Sequence, residues 1–363
     1  MYKSPSSSFF LGCSSPTGFY SLFSELHVPE DGWKLYIIKG GPGTGKSTLM
    51  KKVAAEAAKR GLYHERIYCS SDPDSLDGVI IPSLKVSIAD GTSPHVLEPD
   101  YPGVSEITVD MGRFRDDNKL TERRDEIIKI TKENRLQHKK CTDFLSAAKS
   151  VYNDTSNIVL SALKIERLHR FSEKLASAKL TARLDTQGKI KKRFLSALTP
   201  KGFTVFRDTF SDMCENIFVL DDPFSHASSV MLKILSMKAR EQGLDCILCY
   251  CPMSPEYKPE HLIIPELSLG FFTSNRYHPD DFPSAAHINC KRFFDADILS
   301  RHKNRIAFNN RSGDELLNEA VKKLEKAKSI HDILEKYYID AMDFSAAAEY
   351  GEEIIEKIFA DKS

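Results

Sequence analysis

Hydrophobic and polar positions follow one plan twice along this chain. Short apolar runs alternate with turn-rich loops and one amphipathic helix pattern, and a long stretch rich in Lys, Glu and Leu closes each half. In the first half the strand-like runs are 33–39, 64–70, 84–89 and 105–110. A helix pattern from Thr48 to Arg60 lies between the first two and stops at Gly61. Strands alternating with a helix predict an α/β domain with a mostly parallel sheet. From Asp116 to about Leu184 there is no proline, and Ile127, Ile130, Leu136, Phe144, Leu145, Val151, Ile158, Leu160 and Leu163 recur at helical intervals. That spacing predicts an appended helical hairpin. In the second half, strands are expected near 216–220, 246–251, 267–273 and 304–308, then helices from Asp314 to Phe359.

The repetition extends to individual residues. Pro16-Thr17-Gly18-Phe19 is echoed by Pro200-Lys201-Gly202-Phe203, and Gly61-Leu62 by Gly243-Leu244. Cys69 matches Cys251, Pro73 matches Pro255, and Ile80-Ile81-Pro82 matches Ile263-Ile264-Pro265, all at offsets of about 181 to 184. This is the signature of an internal duplication. It divides the chain into 1–185 and 195–363, joined by a linker at 186–194 that contains Gly188 and the basic run Lys189, Lys191, Lys192 and Arg193. The linker is read as a solvated segment rather than a nucleic-acid patch.

The chemistry sits between the first strand and the first helix. Gly40-Gly41-Pro42-Gly43-Thr44-Gly45-Lys46-Ser47 fits the G-x-x-x-x-G-K-[ST] pattern of a phosphate-binding P-loop, followed by Thr48. Strand, glycine loop and helix together let backbone N–H groups wrap a phosphate at the positive end of a helix. Lys46 is expected to reach the β- and γ-phosphates of a nucleoside triphosphate such as ATP, and Ser47 to ligate Mg²⁺. Asp90, ending the run Val86-Ser87-Ile88-Ala89, is the candidate carboxylate for the metal; the plainer reading is a turn-forming Asp. Asp72, in Asp72-Pro73-Asp74, is the candidate general base or water-orienting group, against the plainer reading of an Asp-Pro turn. Arg113, Arg115, Arg123 and Arg124 have the spacing of a phosphate-clamping lid, although an exposed helix face interleaved with acids explains them more simply. His95 is read as a surface-turn histidine in preference to a γ-phosphate sensor.

In the second half the loop-equivalent Asp221-Asp222-Pro223-Phe224-Ser225-His226-Ala227-Ser228 lacks the glycines and the lysine. Losing a charged donor costs about 1.5–3 kcal/mol, and a carboxylate about 4 Å from a phosphate adds repulsion of up to about 4 kcal/mol. Triphosphate binding is therefore expected in the first half alone. Thr273 stands where the first half has Asp90.

Composition narrows the setting. The 363 residues hold 51 acidic and 51 basic side chains, so no global field favours nucleic acid or an anionic membrane. The longest apolar runs are far too short to span a bilayer, no signal-peptide pattern opens the chain, and a cytoplasmic location is expected. The eight cysteines are expected to be thiols. Cys246, Cys249 and Cys251 alternate along a strand and are read as core residues rather than as metal ligands.

Three blocks together resemble a family. Gly41 to Met50, Cys69-Ser70-Ser71-Asp72-Pro73-Asp74-Ser75-Leu76-Asp77-Gly78 and Ile88-Ala89-Asp90-Gly91-Thr92-Ser93-Pro94-His95 are similar to an uncharacterised bacterial family of tandem P-loop ATPases or nucleotide kinases, chiefly from Firmicutes. The resemblance covers nearly the whole chain. It implies a duplicated P-loop NTPase fold and Mg-ATP binding, and it fits ligand better than reaction. Members of that family often keep a working P-loop in both halves, and the changes at 221–228 depart from this. The expected function is slow ATP hydrolysis coupled to conformational change. Phosphoryl transfer to a nucleotide or small acceptor, and nucleotide sensing in which the helical hairpins meet a protein partner or a second copy, are the alternatives.

Overall fold

A computed structural model describes residues 6–181, 186–283 and 285–360. The expected domain boundary at 185 and the helix ends at Leu184 and 361 lie outside the described residues. The first half runs β1 (Ser6–Phe9), β2 (Gly12–Ser15), β3 (Gly18–Ser21), β4 (Lys34–Lys39), α1 (Lys46–Lys59), β5 (His64–Tyr68), β6 (Leu76–Ile81), β7 (Val86–Asp90), β8 (Glu106–Asp110), α2 (Asp117–Glu122), α3 (Arg124–Ser161) and α4 (Ile165–Lys179). The second half runs β9 (Ile190–Arg193), β10 (Ser196–Thr199), β11 (Gly202–Val205), α5 (Arg207–Met213), β12 (Asn216–Asp221), α6 (Ala227–Glu241), β13 (Cys246–Tyr250), β14 (Pro259–Ile264), β15 (Leu269–Ser274), β16 (Ala286–Asn289), α7 (Ala296–Arg301), α8 (Lys303–Ile339) and α9 (Phe344–Ala360).

Each half contributes a six-stranded sheet, in the orders β1-β5-β6-β7-β4-β8 and β9-β13-β14-β15-β12-β16. The chain is thus an α/β protein whose two halves repeat one strand order. The sheets are mixed rather than mostly parallel, because β6 and β14 run antiparallel to both neighbours. Those two strands fall between the strands expected from the sequence, yet every residue of both is buried. The expected linker forms β9, an edge strand paired with β13, and the expected strand at 304–308 lies inside α8.

One core lies between the sheets and belongs to both halves, with Phe9, Phe10, Ile37 and Ile67 meeting Phe194, Phe210, Ile247 and Phe272. Equivalent residues meet reciprocally there. Phe10 donates to the Phe194 carbonyl at 2.9 Å and Phe194 to the Phe10 carbonyl at 3.0 Å, as a local twofold requires.

The outer faces are covered by exchange. Besides α1, the first sheet's outer core takes Ile354, Ile355, Ile358 and Phe359 of α9, from the other half. The second sheet's outer core takes α6 and also Leu168, Ala176 and Leu180 of the first half's α4 segment. Burying four large apolar side chains of α9 contributes on the order of 6–12 kcal/mol gross, comparable with the net stability of a whole domain. Helices α3 and α8 run antiparallel, with Glu126 meeting Tyr337 near one end and Asp154 meeting Arg305 near the other. Each hairpin therefore covers the opposite half, whereas the sequence reading attached each to its own.

Candidate functional site

The glycine loop Gly40–Gly45 connects β4 to α1. Strand β4 (KLYIIK) is buried through its four central residues, which fixes the loop at the sheet's C-terminal edge. Helix α1 buries Leu49, Met50, Val53, Ala54 and Ala57, the stripe expected of a helix lying on a sheet. Gly43 and Gly45 have φ of 67° and 87°, a left-handed backbone that other residues adopt at a cost. Gly45 is also the N-cap of α1, so the loop delivers the chain to the positive end of that helix.

Lys46 is almost buried. Its Nζ donates to the carbonyls of Gly41 (2.6 Å) and Gly40 (3.3 Å) and stands 3.5 Å from Asp90 Oδ2. Asp90 arrives because β7 lies beside β4 in parallel, with Ile38 opposite Asp90. Its other oxygen accepts the Thr92 amide (2.8 Å) and hydroxyl (2.6 Å), so one carboxylate both forms the turn and faces the lysine. Thr44 Oγ1 donates to the Gly41 carbonyl at 2.9 Å, closing the loop on itself. The Ser47 hydroxyl oxygen accepts the Leu76 amide at 3.0 Å.

Asp72 joins neither Lys46 nor Asp90. It caps its own turn by accepting Ser75 Oγ at 2.8 Å, and Lys328 Nζ of α8 lies 3.8 Å away. Of the four arginines, Arg115 comes close to the loop. It packs by Gly112, which lies against Gly40, and it also pairs with Asp117. Arg113 faces the rings of Phe114 and Tyr350, and Arg123 pairs with Glu126. No lid forms from these residues. His95 is not a surface residue; it is 6% exposed and wedged against Phe19 and Phe23.

The residues that the sequence reading missed come from the other half. Helix α8 lies on the glycine loop: a Cβ at Gly41 would fall 2.6 Å from the Tyr338 ring, and one at Gly43 would fall 3.0 Å from the Glu335 carbonyl. Glu335 stands beside Gly43, and His331 first of all, with Lys328 and the Gly43 amide contributing less, holds its carboxyl below the ordinary value. Lys328, His331, Glu335 and Tyr338 share one helical face, and this spacing was visible in the sequence. Nothing local said which sheet that face would meet.

The second loop differs in length as well as composition. Five residues, Asp222–His226, connect β12 to α6, against six in the first half. Asp221 therefore ends the strand, where it faces His287 at 3.1 Å, instead of opening the loop as the sequence alignment had it. Asp222 is fully buried and accepts the amides of Phe224 (3.1 Å) and Ser228 (2.8 Å). An internal carboxylate thus occupies the amides of this loop. Burial, with Lys258 second, pushes the His226 imidazole down to about 4, so it is neutral at physiological pH. A cavity of about 500 Å³ opens beside this loop between Phe224, His226, Lys258, Arg276 and the Lys149 and Tyr152 side chains of α3. Lys149 is the counterpart of Lys328: it donates to Ser254, where the first half has Asp72.

All eight cysteines are free thiols, with Cys246 and Cys249 in different cores. No described helix is long and apolar enough to cross a membrane. No family model, curated protein or solved structure matches this chain.

Proposed function

We propose that the first half binds a magnesium nucleoside triphosphate, ATP in the leading case, on the Gly40–Ser47 loop in a P-loop NTPase arrangement, and hydrolyses it slowly while α8 moves. The observation behind this reading is the loop itself, where two left-handed glycines lead into a helix N-terminus with Lys46 facing Asp90 across neighbouring parallel strands. The residues present fit an anion, because left-handed glycines lead the loop amides to a helix N-terminus beside Lys46. They fit the metal too: Ser47 and Asp90 are hard oxygen donors of the kind Mg²⁺ prefers.

In this reading the loop amides and Lys46 neutralise terminal phosphate charge, Ser47 and Asp90 hold the metal, and Lys328 supplies positive charge from the opposite half. The bound magnesium nucleotide supplies the phosphoanhydride bond. Electrostatic positioning is the chief catalytic resource for such chemistry. Glu335 and Tyr338 of α8 stand against the loop where a terminal phosphate would sit, so binding displaces α8 from the loop and the helical layer reports on occupancy. That contact also favours, as a second reading, a sensor in which turnover is negligible.

Phosphate release without an acceptor, lost in Lys46→Ala, is the result expected of a hydrolase. Tight binding with negligible release and altered hydrogen exchange along α8 identifies a sensor. Labelling of an added acceptor, with little release alone, identifies a kinase.

A further inference from the structure

Away from the glycine loop, both halves hold a partly buried thiol with a buried carboxylate and imidazole at equivalent positions. In the first half these are Cys69, Asp77 and His95, whose donor atoms lie within 4.8 Å of one another. In the second half they are Cys251, Glu260 and His278. The second loop has lost its glycines and its lysine, yet this trio persists, so it does not depend on the phosphate chemistry.

The same device aims the carboxylate in both halves. Ile67 pairs with Gly78 and Tyr68 with Leu76, leaving Asp77 as the extra residue of a β-bulge. Cys249 pairs with His261 and Tyr250 with Pro259, leaving Glu260 in that role. Bulges of this kind re-aim a side chain out of the normal alternation. Here they turn an acid into the protein, where Asp77 is 5% exposed and Glu260 4%. Each acid has one oxygen there that no hydrogen bond satisfies. Asp77 Oδ2 lies 2.9 Å from His95 Nε2 without forming a hydrogen bond, and Glu260 Oε2 likewise lacks a hydrogen-bond partner. A buried carboxylate oxygen without a donor is costly, and two donor atoms that face each other unaligned share the space of a common third party.

We propose that Cys69, Asp77 and His95 bind one divalent transition-metal ion of the zinc class. The donor set is S, O and N, as such ions take, and three protein ligands leave a fourth position open. A thiolate and a carboxylate carry two negative charges, so a divalent ion leaves the buried site neutral. The soft thiolate selects against Mg²⁺ and Ca²⁺, which separates this site from the metal proposed at Ser47 and Asp90. Bonds of the usual length place the ligand atoms roughly 3.3–3.8 Å from one another, so Asp77 Oδ2 and His95 Nε2, 2.9 Å apart, separate by a few tenths of an ångström as the ion enters. Burial and the neighbouring Asp77 hold the Cys69 thiol well above its ordinary value, so the ion displaces the thiol proton to solvent as the S–metal bond forms.

The first half is the better site. In the second half, His278 Nε2 lies 3.0 Å from Ser196 Oγ and 3.7 Å from Glu260. Gly12 takes the place of Ser196 at the start of β2, directly beside the His95 ring, so no hydroxyl competes there for the imidazole.

Cobalt(II) titration of the full-length Cys251→Ser chain tests the site, because of the two trios only that of Cys69 then keeps its thiol. Thiolate-to-cobalt charge-transfer absorption saturating at one equivalent is expected. Cys69→Ser removes it, and Asp77→Asn and His95→Ala each weaken cobalt affinity about tenfold or more. Absence of that absorption in the parent chain overturns the proposal, as does absorption that survives Cys69→Ser or is indifferent to both Asp77→Asn and His95→Ala.

Discussion

Single residues decide which of the two loops is open to an anion. In the first, Lys46 rests on loop carbonyls and no carboxylate of the loop occupies its amides; in the second, Asp222 does so from within. The sequence reading placed Asp221 and Asp222 as repulsive neighbours of a phosphate. In the fold Asp222 accepts the Phe224 and Ser228 amides, so in the proposed reading it substitutes for an anion instead of repelling one. Beside it, His226 carries a pH signature. Its imidazole is held at about 4 by burial and Lys258, against about 6.5 when unfolded. Between these values the unfolded chain binds more protons, so stability rises with pH and is lost as pH falls through that window. The denaturation midpoint should therefore drop as pH falls from about 6.5 to about 4. His226→Gln, which keeps a polar group near the Phe224 carbonyl, should flatten that slope; an unchanged slope would show that His226 is not its source.

Elements show where local pattern suffices and where it does not. Strand β4, the loop and α1 were legible because glycine spacing, a β-rich run and a 3.6-residue stripe all point the same way. Strands β6 and β14 were not, because the bulge residues Asp77 and Glu260 place a carboxylate in fully buried strands and break their alternation. The two long helices were recognisable as helices, but their partners were not, since periodicity identifies an apolar face and not the surface it meets. That gap concealed the contact of α8 with the glycine loop. Glu335→Ala removes a carboxylate that stands beside the loop and would repel a phosphate, so it should tighten nucleotide binding about fivefold, equivalent to roughly 1 kcal/mol. Calorimetry decides this, and weaker binding in the variant would mean that α8 does not compete for the loop.

At the scale of the molecule, duplication and exchange make one folding unit. The halves share a central core, and each outer face is completed by a hairpin from the other half. The duplication was readable from matched residues about 181 to 184 apart, but the exchange was not, because it depends on long-range packing. An almost fully buried ion pair joins the halves: Arg193 Nε meets Glu65 Oε2 at 2.8 Å. Glu65→Ala leaves the guanidinium uncompensated and should cost about 3–5 kcal/mol in denaturant unfolding, whereas replacing both partners with apolar residues should cost far less. Equal losses in the two variants would argue against a coupled pair. The central claim is that one loop of the duplicated pair accepts a triphosphate and the other does not. Isothermal titration of the full chain with Mg-ATP tests this most directly. One equivalent bound, weakened about 10- to 100-fold in Lys46→Ala, is the predicted result; no binding, two equivalents, or indifference to Lys46→Ala would contradict it.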